Sequence, residues 1–158
     1  MRQTVLLVGS TGMLGSQIAR NLLISNNTGV RLLVRKDNEA KSGALVKEFR
    51  DQGAEVVDGD LADRASLERA TRNVDVIVSA VQGGPEVIVD GQVALAEAGK
   101  RNCVGRILPS DYTLDLFKAT PGEHAAFDLR RTADERIAKI GLEQINVLQG
   151  AFMFAFLP

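Results

Sequence analysis

Apolar residues fall along this chain in two alternating rhythms. Short runs with little polar interruption occupy residues 4–8, 30–34, 54–57 and 74–78, the last broken only by Asp75. Each has strand length and is apolar at successive positions, as in a sheet covered on both faces. Between the runs the spacing changes to that of a helix. Apolar residues at 14, 18 and 22 form one stripe across residues 13–24. Residues 41–51 read as a helix with a polar side, and residues 63–71 as a short helix. Residues 86–99 carry Val89, Val93 and Ala96 at helical spacing, and a fifth strand is expected at 104–108 despite Gly105 and Arg106.

The segment Thr120-Pro121-Gly122-Glu123 reads as a helix start, with Thr120 as cap, Pro121 in the first helical position and Glu123 closing a capping box. Ala126, Leu129, Ala133, Ile137 and Ile140 continue that helix, and Gly141 ends it. A sixth strand is expected at 144–149. Strands alternating with helices imply parallel pairing, and right-handed crossovers then favour a Rossmann-like, doubly wound α/β sheet in three layers, strand order 3-2-1-4-5-6. No repeat or linker divides residues 1–158, so a single domain is expected.

Composition narrows the function classes. Of 158 residues, 45% are hydrophobic and 25% charged, a globular mixture with a core and not a disordered chain. Nineteen basic against twenty acidic side chains leave no basic field for nucleic acid. No 18-residue apolar run suggests a membrane span, and residues 5–8 are too short for a signal peptide. One cysteine, Cys103, allows no internal disulfide, so a reducing, cytoplasmic setting is expected. Cys103 reads as a small buried hydrophobe, or as a reactive thiol if Lys100, Arg101 and Arg106 stabilise its thiolate, and His124 as a surface residue; no Cys/His cluster has metal-ligand spacing.

The first chemistry lies where the first strand meets the first helix, at Gly9-Ser10-Thr11-Gly12-Met13-Leu14-Gly15. Gly9 permits a tight turn, Gly12 lets a pyrophosphate approach the backbone, and Gly15 lets the helix pack close to the sheet. The helix start then offers free N–H groups and positive dipole to phosphate. A P-loop is excluded because no Gly-Lys-Ser/Thr follows. At the end of the second strand, where an acidic residue would bind the ribose hydroxyls of NAD, stand Arg35 and Lys36. A guanidinium clamps a 2′-phosphate that a carboxylate would repel, so NADP(H) is preferred over NAD(H).

Together with that turn, Leu-Val-Arg at 33–35, Gly-Asp-Leu at 59–61, Ser79-Ala80-Val81 and Leu108-Pro109-Ser110-Asp111-Tyr112 give a specific combination. It resembles the NmrA-like and isoflavone-reductase-like branch of the atypical short-chain dehydrogenases/reductases, over essentially the whole chain. The resemblance implies Asp60 and Leu61 at the adenine, Ala80, Val81 and Gln82 along the ribose–nicotinamide side, and Pro109, Ser110 and Tyr112 near the nicotinamide. It also implies that a smaller C-terminal substrate portion is lacking here. The apolar stretch 151–158, with three of the six phenylalanines, then reads as core or as a surface for homo-oligomerisation.

For catalysis, a Tyr-x-x-x-Lys pair fails, since four residues beyond Tyr112 stands Leu116. The lysine that isoflavone-reductase-like enzymes carry in the helix after the Pro-Ser motif corresponds to Arg130. Arginine cannot exchange a proton near neutral pH, although it can stabilise an oxyanion. Tyr112, Ser110 and Arg130 are the catalytic candidates. The expected function is hydride transfer to a small carbonyl or unsaturated substrate; the alternatives are a redox-sensing NADP-binding regulator acting through a protein partner, and a scaffold that binds no nucleotide.

Overall fold

A computed structural model describes residues 2–152, with backbone alone for residues 38–40. The elements run β1 (Gln3–Val8), α1 (Met13–Ile24), β2 (Thr28–Val34), α2 (Glu39–Asp51), β3 (Glu55–Asp58), α3 (Arg64–Ala70), β4 (Val76–Ser79), α4 (Gln92–Arg101), β5 (Arg106–Leu108), α5 (Ala125–Ile140) and β6 (Glu143–Gln144). A short 3-10 turn, Lys36–Asn38, precedes α2, and a π-helical turn, Glu86–Gly91, leads into α4. The six strands form one sheet in the order β3-β2-β1-β4-β5-β6, and every pairing is parallel. The doubly wound α/β architecture expected from the sequence is the one observed.

The apolar strand runs are explained by burial on both faces. In β1, Leu6 and Val8 join Ile77, Leu95, Ile107 and Ile137 in one core layer. Val5 and Leu7 join Leu32, Val34, Ala19 and Phe49 in the other. Alternate residues of β1 thus supply opposite cores, so no position from Val5 to Val8 is free to be polar. The strand order reverses between β1 and β4, which opens a crevice at the carboxyl ends of the strands.

Three local expectations are corrected. Helix α5 begins at Ala125, four residues beyond Pro121. Glu123 N–H instead donates to Thr120 O at 3.2 Å, closing a turn, and Gly122 has φ +89°. Proline then glycine at the two central positions is the signature of a type II turn, which overrides the cap pattern. The sixth strand is only Glu143–Gln144, not 144–149. Its partner β5 ends at Leu108 because Pro109 has no N–H for the ladder. Finally, Cys103 is exposed, at φ +59°, rather than buried.

Candidate functional site

A cleft of about 570 Å³ lies over the carboxyl ends of the strands. Its outer half is made by the glycine turn. Gly9 has φ +86°, and a Cβ there would lie 2.3 Å from Ala80 O. A Cβ on Gly15 would lie 2.0 Å from Gly9 O. Both positions therefore require glycine for the close approach of α1 to the sheet. Gly12 differs: its nearest neighbour would be Gly9 O at 3.4 Å, so a side chain there would fill cleft space and not protein. Gly12 caps α1 without a side-chain hydrogen bond. The N–H groups of the first helical turn have no acceptor within the helix and point toward its amino end. The fit to a bound pyrophosphate is thus one of backbone donors and cleared space.

Thr11, Gly12, Met13, Leu14 and Gly9 line the cleft, as do Arg35, Asp60, Leu61, Ala80, Val81 and Gln82. Ser10 and Gly15 lie beneath the turn, outside the lining; Ser10 is 1% exposed and its hydroxyl has no partner among the described residues. Lys36 and Pro109 do not line the cleft either. Lys36 belongs to the exposed turn that carries the chain away from β2.

Arg35 stands at the cleft mouth. Among the described residues its one ion pair is with Asp60, Nε to Oδ2 at 4.0 Å, and both side chains are largely in water. Such a pair holds the guanidinium weakly and leaves its donors available. Asp60 is placed by its turn: Oδ1 accepts from Ala62 N–H at 2.8 Å, and its own N–H donates to Ser66 Oγ at 3.1 Å.

The inner half is assembled from distant segments. Ser110 is buried; its hydroxyl donates to Val81 O at 2.7 Å and its N–H to Gln92 Oε1 at 2.8 Å. These bonds fasten the loop after β5 to the loop after β4 and to the start of α4. Arg130, on α5, reaches back to the same loop. Its Nε donates to Ser110 O (3.1 Å) and Asp111 O (3.3 Å), and Nη1 to Ala126 O (2.9 Å). Tyr112 sits at φ +36°, and burial beside the Asp111 charge pushes its phenol up to about 12. That is opposite in direction to the tyrosine of a Tyr-x-x-x-Lys pair, so Tyr112 is suited to donating a hydrogen bond as a phenol.

Sequence reading missed Asp111, Asp134, Gln144 and Asn146 as a group. Asp111 lines the cleft and is 3% exposed; Asp134, on α5, is 4% exposed. One amide nitrogen joins them: Asn146 Nδ2 donates to Asp111 Oδ2 and to Asp134 Oδ2, each at 2.9 Å. Gln144 Nε2 donates in turn to Asn146 Oδ1 at 3.2 Å. The signal available in the sequence was a carboxylate one position beyond Ala133 in the apolar stripe of α5. Val87 and Phe152 also line the cleft and were not anticipated. His124 is exposed and stacks on Phe127 at 4.3 Å between ring centres. Among the described residues there is no cluster of metal-ligating side chains, and no helix is long and apolar enough to cross a membrane. Of the apolar stretch 151–158, residues 153–158 lie outside the described residues.

With this geometry in view, comparison with known proteins is informative. The sequence model of the NmrA-like family matches residues 1–158. The chain belongs to the NmrA-like family. This family member is 31% identical to pinoresinol reductase 1 of Arabidopsis thaliana over 96% of its own length and 50% of that protein's. It is 29% identical to phenylcoumaran benzylic ether reductase PT1 of Pinus taeda, over 99% of its length and 51% of the relative's. It superposes on AtPrR2 with NADP+ and (+)pinoresinol with a TM-score of 0.87 at 28% identity, covering 99% of this chain and 52% of that one. The leucoanthocyanidin reductase–NADPH binary complex from Vitis vinifera gives a TM-score of 0.77 at 27% identity, covering 92% and 49%. The chain spans about half the length of the curated relatives it matches.

Proposed function

We propose that this NmrA-like chain is the NADP(H)-binding domain of a reductase that transfers hydride to a small carbonyl or unsaturated substrate. In this reading residues 1–158 form one nucleotide-binding unit. The first-turn N–H groups of α1 hold the pyrophosphate; Gly12 clears its path, while Gly9 and Gly15 let α1 approach the sheet. Arg35 grips the 2′-phosphate. Asp60 and Leu61 border the adenine, and Ala80, Val81 and Gln82 follow the ribose toward the nicotinamide. The observation that carries the reading is the contrast among the three glycines: two are forced by protein packing, while Gly12 is kept bare toward the cleft. The naming of curated relatives as reductases and the NADP+ and NADPH complexes among the structural neighbours support it.

When bound, the reduced nicotinamide supplies a hydride. The chain's own residues bind and orient. Ser110, its hydroxyl committed to Val81 O, fixes the floor of the inner cleft and is a weaker candidate for proton transfer than a free hydroxyl. Arg130 keeps a permanent positive charge there, suited to an oxygen that becomes anionic. Tyr112 donates a hydrogen bond. The setting proposed is the cytoplasm, where the exposed thiol of Cys103 stays reduced.

Calorimetric titration with NADPH and NADH, on the wild type and Arg35→Ala, tests the reading. NADPH is expected to bind the wild type, and the substitution to weaken NADPH far more than NADH. Equal losses for both nucleotides would remove the 2′-phosphate role, and no binding of either would remove the proposal.

A further inference from the structure

The inner cleft contains groups that can stabilise charge but lacks an obvious proton donor. Arg130 is permanently protonated and spends Nε and Nη1 on carbonyls. Tyr112 is held well above neutral pH. Among the described residues Asp111 is the one buried acidic residue that lines the cleft.

Behind Asp111 stands Asp134, and a single amide nitrogen serves both. Two carboxylates drawn to the two N–H groups of one amide nitrogen, away from water, repel strongly if both are ionised. The hydrogen bonding of the cluster shows the same shortage. Asp134 Oδ1 and Gln144 Oε1 are both buried acceptors without a donor among the described residues. Asp134 also feels the Gln144 side chain directly. A proton on Asp134 would turn one orphan acceptor into a donor.

We propose that Asp111 and Asp134 hold a single proton between them, and that Asp111 hands it to a ligand in the inner cleft. This rests on the reductase reading above. Asp111 is the catalytic residue, and Asp134 and Asn146 are positioning residues that act through it. In the reduction of a carbonyl, the substrate carbon gains hydride from the reduced nicotinamide and its oxygen gains the shared proton. The C=O π bond breaks, C–H and O–H bonds form, and the nicotinamide is oxidised in balance. Water entering by the cleft mouth then restores the proton to the pair.

The surrounding charges agree with one retained proton. Burial raises both carboxyls, Asp134 to about 8, and the Asp111 charge adds to the effect on Asp134. The Asn146 amide and the Arg130 guanidinium oppose it for both, and Gln144 opposes it for Asp134. Charges on the neighbouring elements are engaged elsewhere: Arg136 pairs with Asp90, Lys100 donates to Gly141 O, and Arg106 pairs with Glu143.

Dicyclohexylcarbodiimide tests this without turnover, because it adds to protonated carboxyls and passes over ionised ones. At pH 7, peptide mapping is expected to find the adduct on Asp111. Asp134→Asn should slow labelling about tenfold or more, since each unit of lowered pKa removes tenfold of the protonated form. Asp111→Asn should abolish the adduct at that position, and carbon-13 NMR of the aspartate carboxyls should show one group titrating near pH 8 in the wild type that is lost in Asp134→Asn. Saturating NADPH should protect. Labelling that depends on Asp134 but ignores NADPH supports the shared proton and overturns the nucleotide reading instead. No adduct on Asp111, an adduct indifferent to Asp134→Asn, or all aspartates titrating below about pH 5 would each overturn the shared proton.

Discussion

At the outer end of the cleft the chemistry belongs to backbone: first-turn N–H groups of α1, two glycines forced by contact with Ala80 O and Gly9 O, and one guanidinium loosely held at 4.0 Å from Asp60. At the inner end it belongs to side chains drawn from three segments, with Ser110, Asp111, Arg130, Asp134 and Asn146 bonded to one another or to the same loop. The outer end is open and pre-formed by local geometry. The inner end is dry, crowded and mutually dependent. A backbone site tolerates few substitutions because the shape itself is the binding group. A side-chain site can change its chemistry by one replacement.

The contrast can be broken most severely at Gly15. Replacement by alanine puts a Cβ 2.0 Å from Gly9 O, backbone against backbone. Overpacking of this kind costs about 1–3 kcal/mol or more. Urea unfolding should show a lower midpoint, and NADPH binding should fall with it. Gly12→Ala sharpens the point: its Cβ meets nothing closer than 3.4 Å, so stability should hold while NADPH binding weakens. Next in size is Arg35→Ala. Loss of charge-assisted hydrogen bonds worth about 1.5–3 kcal/mol should weaken NADPH about tenfold to a hundredfold, with NADH nearly unaffected.

The inner end should respond to pH. The carboxyl of Asp134 is raised from 3.8 to about 8 in the fold. The folded chain therefore binds more protons than the unfolded chain across that window, and stability falls as pH rises from about 4 to about 8. Asp134→Asn should flatten that slope in thermal unfolding followed at several pH values. The smallest effect is expected at Lys36, exposed and outside the cleft lining. Lys36→Ala should change NADPH binding by less than about 0.5 kcal/mol, a surface-scale effect.

What could be read from the sequence follows the same division. Strand and helix rhythm, sheet order and the glycine turn are local or periodic, and each residue there announces its role by type. The place of Arg35 at the cleft was legible because it directly follows β2. The start of α5 misled because Thr120-Pro121-Gly122-Glu123 satisfies two local rules at once, and the left-handed Gly122 decided for the turn. The short β6 could not be foreseen from its own residues; its length is set by Pro109 on the neighbouring strand. The Asp111–Asn146–Asp134 contact joins residues up to 35 positions apart, and nothing in their spacing marks them as partners.

The central claim is that phosphate groups rest on the amino end of α1 with Arg35 at the adenosine side. Amide NMR during titration with NADPH reads it directly. The account predicts the largest shifts at the N–H groups of residues 11–15 and at Arg35 Nε, with little change at the far ends of the strands. Saturation by NADPH with those signals unmoved would contradict it.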